Sequence, residues 1–176
     1  MTIVTATEQA RFLNLPLITA SCAVATTTDT IYFGGSPGVI IKSGWLHNGT
    51  DATTAIYGWQ FNSVACDATI AVGVTAITYD GATASTRGAS NYYIKNTATG
   101  EIMYVVKDSA PTATSGTFTV IRGALGTTQG GLVDNDDLEI LNSVIINYPA
   151  PNVATSVVHV LYHELPMDPY AQVWGT

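Results

Sequence analysis

The sequence predicts an all-β, mainly antiparallel chain, a β-sandwich or a barrel-like fold with an N-terminal arm or short helix. Two observations carry that expectation. Short runs rich in Val, Ile, Thr and Tyr recur along the 176 residues, separated by turns of Gly, Asn, Ser and Thr. Helix signals are confined to one stretch near the start. Many short strands with turn signals between them describe sheets packed on sheets, or a sheet closed on itself.

Taken in order, residues 1–20 read as an arm. Thr5-Ala6-Thr7-Glu8 has capping-box spacing for a short helix through Leu13, and an extended arm is the equal alternative. Phe12, Leu13 and Leu15 need cover in either case. Residues 21–63 read as an N-terminal β region. Ser21 to Phe33 gives strand, turn, strand, with Thr26 to Asp29 as the turn. Gly34-Gly35-Ser36-Pro37-Gly38 is a plain turn, because no Gly-Lys-Ser/Thr closes it into a phosphate loop. Val39 to His47 is a strand, Asn48-Gly49 a hairpin turn, and Ala55 to Phe61 the return strand.

Residues 64–148 form the next unit, with strands at 69–72 and 75–79 around Gly73, a polar loop from Asp80 to Ser90, and a strand at Tyr92 to Lys95. The clearest hairpin follows. Glu101-Ile102-Met103-Tyr104-Val105-Val106 and Thr117-Phe118-Thr119-Val120-Ile121-Arg122 flank a linker of Asp, Ser, Pro, Thr and Gly. Side chains alternate between the two faces of a strand. Met103 and Val105 therefore oppose Ile102, Tyr104 and Val106, and both faces are apolar. Pairing Val105 with Phe118 would set Glu101 opposite Arg122 as an ion pair at the open end, worth ~0–1 kcal/mol if exposed. Gly123 and Gly126 let the chain turn out of the sheet. Asp136 to Leu141 and Ser143 to Tyr148 read as strand. Residues 149–176 hold a last strand from Thr155 to Leu165, with Val158, Val160 and Tyr162 on one face. An irregular tail rich in Pro, Met, Tyr and Trp follows and is expected to pack on its own domain or a neighbour.

The block Glu-x-Met-x-Val, then Thr-Val-x-Arg-Gly-x-x-Gly-Thr-Thr, resembles a module of structural proteins of tailed bacteriophages. The likeness covers roughly residues 65–142. Such modules often carry a His after Gly-Thr-Thr, where this chain has Gln129-Gly130-Gly131. The resemblance implies a virion structural protein assembled in the host cytoplasm. The expected role is capsid decoration or cement, with the major capsid protein as partner and a homo-oligomer, a trimer by analogy, as the working form. A neck or tail component and a glycan- or receptor-binding module are the alternatives.

Composition agrees with a part held in an assembly. Charged residues make up 11% of the chain, against about 25% in average proteins. Six basic residues face thirteen acidic ones, for a net charge of −7. A nucleic-acid binder needs a basic stripe, and an anionic membrane surface attracts the same kind of cluster, so neither is an expected partner. Cys22 and Cys66 have no metal-like spacing and are expected as thiols.

Candidate chemistry is sparse. Asp134, Asp136, Asp137 and Glu139 cluster without the spacing of a calcium loop and read as a solvated turn. His159 and His163 would sit about 13 Å apart on one strand, too far to share a zinc ion. No Gly-x-Ser-x-Gly elbow occurs. No enzyme activity, cofactor or metal is expected. Phe12, Leu15, Trp45, Trp59, Tyr170 and Trp174 are the expected interface residues, and Glu101, Arg122, Gly123 and Gly126 the structural motif.

Overall fold

The computed structural model describes residues 17–23, 28–48, 52–55, 58–81, 88–147 and 157–171. They form eleven strands: β1 (Leu17–Ala23), β2 (Thr28–Tyr32), β3 (Val39–Asn48), β4 (Ala52–Ala55), β5 (Gly58–Cys66), β6 (Ala76–Asp80), β7 (Tyr92–Asn96), β8 (Ile102–Asp108), β9 (Gly116–Ile121), β10 (Asp137–Asn147) and β11 (Val157–Glu164). All pairings are antiparallel. The all-β expectation holds, and both architectures it named occur in the one chain.

Six strands, in the order β5-β6-β9-β8-β7-β10, close into a barrel, because β10 pairs with both β5 and β7. A barrel this small is filled by its own side chains. Period-two alternation supplies them. Val64, Cys66, Ile77, Tyr79, Tyr92, Ile94, Met103, Val105, Phe118, Val120, Leu138 and Ile140 form one buried cluster. Tyr79 stacks on Phe118 with ring centroids 4.1 Å apart, and Tyr92 meets the same ring edge-on at 6.4 Å.

β10 then runs on past the barrel. Between Ile140 and Val144 its register against β5 shifts. Beyond that bulge, Ser143 to Asn147 pair with β2 on one side, and Val144 to Asn147 pair with the start of β5 on the other. This extension faces a second sheet, ordered β1-β11-β3-β4. Val144 and Ile146 from β10 meet Val39 and Ile41 from β3 and Val158 and Val160 from β11, with Phe33 closing the side. Tyr162 packs against this core from the same strand as Val158 and Val160, as the alternation predicts, with its ring 4.8 Å from that of Phe33. The result is a small sandwich carried on the barrel wall.

Several local expectations need correction. Leu17 to Ala20 lie in β1, not in an arm, and Thr28 and Asp29 belong to β2, not to a turn. β1 and β2 also enter different sheets, so they are no hairpin. β3 pairs with β4 from Asn48 opposite Ala52, so the return strand is β4, and Gly58 to Phe61 already belong to β5 in the other sheet. The 63/64 boundary therefore falls inside β5. The stretch 69–72 is not a strand, and Ile70 makes a single bridge to Leu132 beside the barrel core. The two strands expected at 136–141 and 143–148 are replaced by one, β10 (Asp137–Asn147), because the bulge bends the strand without ending it.

Candidate functional site

The motif residues converge at one end of the barrel. Arg122 donates from Nε to Glu101 Oε1 at 2.8 Å and from Nη2 to Oε2 at 2.6 Å, a two-pronged pair. Neither side chain is more than 2% exposed. The other lone pairs of Glu101 accept the backbone N–H groups of Gly123 (3.0 Å) and Gly130 (2.9 Å). Arg122 also donates from Nη1 to the Val74 carbonyl at 2.9 Å and from Nη2 to the Gly130 carbonyl. Burying two charges costs several kcal/mol per ion unless the remaining hydrogen-bonding positions are filled. Here Glu101 accepts four hydrogen bonds and Arg122 donates four, and the loops at 70–75 and 123–131 are pinned to the barrel in consequence.

The predicted partnership is thus real, but its route and depth differ from expectation. Val105 pairs with Val120 and Tyr104 with Ile121, two residues away from the expected register. Glu101 lies before the first residue of β8 and reaches Arg122 around the strand end. The hairpin closes with Asp108 opposite Phe118, which sets the register, and an irregularity between Val105 and Lys107 changes it by one residue along the ladder. The pair is sealed under the 123–131 loop, not exposed at an open hairpin end.

The rest of the motif shapes that loop. Gly123 takes a left-handed φ of 62°, and Gly126 follows at φ 84°. Leu125, at φ 57°, takes the same region without being a glycine. It is held there by full burial and by its N–H, which donates to the Pro169 carbonyl at 2.7 Å. Thr127 Oγ1 accepts the Ile102 N–H at 3.0 Å and lies 2.9 Å from the Ala124 carbonyl, to which it donates. Gly130, in the stretch that departs from the phage pattern, takes part through its backbone alone, and a Cβ there would come within 3.0 Å of Thr99. Gly130 and Val74 are the two members that sequence reasoning missed. Both act through main-chain atoms, and only the Gly-Gly step at 130–131 marks one of them.

A second buried carboxylate lies at the far end of β8. Asp108 accepts from the hydroxyls of Tyr79 (2.7 Å) and Tyr92 (3.1 Å) and from the Ala110 N–H (3.0 Å). It joins β6, β7 and β8 across the barrel mouth.

The two apolar faces of β8 are both covered by this chain. Met103 and Val105 enter the barrel, while Ile102 and Tyr104 join Tyr93, Leu125, Leu141 and Leu165 in an outer cluster. Val106, at 46% exposed, escapes cover. The tail forms part of the lid: Tyr93 donates from its hydroxyl to the Pro166 carbonyl at 2.7 Å, and Ala171 packs on the outer cluster. Burial first, then the nearby Tyr104 and Asp168, push the Tyr93 phenol well above its ordinary value.

Between sandwich and barrel lies a groove of about 250 Å³, walled by Ile40, Trp59, Phe61, Ile102 and Leu141. Lys95 and Glu139, cross-strand neighbours on β7 and β10, form an ion pair at 3.6 Å on its rim.

Of the expected interface residues, Trp59 is 40% exposed beside this groove and Tyr170 is 72% exposed on the tail. Trp45 lies in β3, opposite His159 on one side and Ala55 on the other. Phe12, Leu15 and Trp174, with the N-terminal helix or arm, lie outside the described residues. Among the described residues no group of three His, Cys, Asp or Glu side chains could hold a metal ion. Asp136 instead accepts from Asn96 Nδ2 (2.8 Å) and the Val133 N–H (2.9 Å), shaping the turn before β10. Cys66 is a buried free thiol, pushed up chiefly by burial and further by the charges of Asp136, Asp134 and Asp67, while a backbone hydrogen bond with Ala68 pulls the other way. No family model matches this chain, and no curated protein or solved structure is significantly similar to it.

Proposed function

We propose that this chain is a non-enzymatic structural protein of a tailed-bacteriophage particle, with capsid decoration or cement as its role. The observation that carries the reading is the lock at the barrel end. The Glu-x-Met and Arg-Gly-x-x-Gly-Thr-Thr residues that resemble the phage module are the ones that bury, bond and bend there. Low charge density and the exposed Val106, Met167 and Tyr170 suit a protein covered by neighbours in an assembly. Each contact with a shell subunit can be weak, because many copies on one particle act together.

The test is the copy number in particles made by the encoding genome, measured by quantitative mass spectrometry against the major capsid protein. A cement protein is present in hundreds of copies, and heads lacking it burst at lower temperature. A handful of copies moves the protein to neck or tail. Absence from purified particles overturns the virion reading.

A further inference from the structure

We propose that the groove between sandwich and barrel binds one neutral sugar ring, free or at the end of a glycan. Trp59 is the surface the ring rests on, and Lys95 with Glu139 reads its hydroxyls. The inference stands apart from the virion reading.

The walls of the groove select the ligand. Ile40, Phe61, Ile102 and Leu141 make it largely apolar, and the partly exposed indole of Trp59 lines it too. Among the described residues, the charged side chains that line it are Lys95 and Glu139. They stand opposite each other on β7 and β10, so paired strands of the barrel wall position both. Lys95 Nζ lies 3.6 Å from Glu139 Oε2, and both side chains are partly exposed. That separation is wider than a direct hydrogen bond. The ammonium is therefore still able to donate toward a ligand, and the carboxylate to accept from one.

Three requirements follow for an occupant. It needs an apolar face, to lie on the indole and the aliphatic wall. It needs groups that accept and donate within a few ångströms, because an ammonium only donates and a carboxylate only accepts. A hydroxyl does both, and two adjacent hydroxyls serve the two side chains at once. It carries no net charge, because either sign would meet a like charge on the rim. The net charge of −7 on the whole chain turns anions away as well. A pyranose ring meets all three, with C–H groups on a face and adjacent hydroxyls around the edge. Those C–H groups suit the electron-rich face of an indole. A plain hydrocarbon, or the apolar side chain of a protein partner, would leave the rim pair unanswered. Size agrees. At about 250 Å³ the groove is smaller than the ~300–1,000 Å³ of sites for drug-sized molecules, and so fits one ring.

The experiment uses the full chain labelled with 5-fluorotryptophan, with the Trp59 fluorine resonance assigned through Trp59→Phe. The probes are the methyl glycosides of glucose, galactose, mannose and N-acetylglucosamine, with glucuronic acid and cyclohexanol beside them. Expected is a saturable movement of the Trp59 resonance with at least one glycoside, at millimolar concentration. Lys95→Met and Glu139→Ala should each weaken that binding about tenfold or more, as the loss of a hydrogen bond to a charged group does. Both positions are partly exposed, and an unchanged urea midpoint shows that each variant folds. An oligosaccharide ending in the same sugar that binds tighter than the glycoside assigns the site to a glycan end. Equal binding assigns it to the single ring, and either result supports the proposal. No saturable movement with any of the glycosides overturns it. So does sugar binding that either folded variant leaves unchanged. Glucuronic acid or cyclohexanol binding as tightly as the best glycoside overturns it as well, because the rim pair would then select nothing.

Discussion

Arg122→Met is the most informative perturbation of the barrel-end lock. It keeps an unbranched apolar stem, two atoms shorter, while removing the charge and every donor. Glu101 then remains buried with only the Gly123 and Gly130 N–H groups, and the Val74 and Gly130 carbonyls lose their guanidinium partner. Removing one member of a buried pair costs about 3–5 kcal/mol, because an uncompensated charge stays behind. With a urea slope of about 1–3 kcal/mol per molar, the unfolding midpoint falls by more than ~1 M. Adding Glu101→Gln to that chain removes the stranded charge while leaving an amide oxygen to accept from one of the two glycine N–H groups. The double variant should therefore be more stable than Arg122→Met alone, by about 1–3 kcal/mol, the cost of a buried polar group left unpaired. Urea titrations followed by circular dichroism on all four chains give the coupling directly. A loss below about 1 kcal/mol for Arg122→Met, the range of exposed pairs, would refute the buried lock. A double variant weaker than the single one would refute the stranded-charge argument.

Gly123→Ala should cost about 1–2 kcal/mol, since φ 62° is left-handed and the new Cβ would sit 2.9 Å from the Thr127 carbonyl oxygen; thermal melts read it. Tyr93 is held neutral in the fold, with its phenol above the unfolded value of about 10. Its contribution is complete below that pH and is lost as pH rises, because the unfolded chain releases a proton that the folded one keeps. Stability should fall above about pH 10 by up to ~1.4 kcal/mol per pH unit from this residue, and Tyr93→Phe should flatten the slope in alkaline urea titrations. In a Cys22→Ser chain, Cys66 should react with a thiol reagent at pH 8 only as fast as the protein opens. Urea should therefore speed labelling many-fold.

The sequence made the strands legible because half-buried strands alternate. The two faces of β8 separate as predicted, Met103 and Val105 into the barrel and Ile102 and Tyr104 outward. What covers the outer face was not legible. A run such as Pro166 to Ala171 carries no periodicity, and its hold on the barrel is by backbone carbonyls that every residue possesses. The Glu101–Arg122 partnership was legible from residue types, but its depth was not, because the burial comes from Gly130 and Val74, whose main-chain groups leave little trace in the sequence. Assigning strands to sheets failed for the same kind of reason. Nothing in Ala52 to Phe61 shows that β4 and β5 belong to different sheets.

The sharing of β10 by barrel and sandwich governs how the molecule comes apart. With one ribbon woven into both halves, neither can melt and leave the other whole. Heat should therefore produce a single all-or-none transition, with calorimetric and van't Hoff enthalpies in agreement. The bulge at 141–143 becomes a rigid elbow rather than a hinge, so a pull on one end of the protein is carried to the other through a continuous hydrogen-bonded strand.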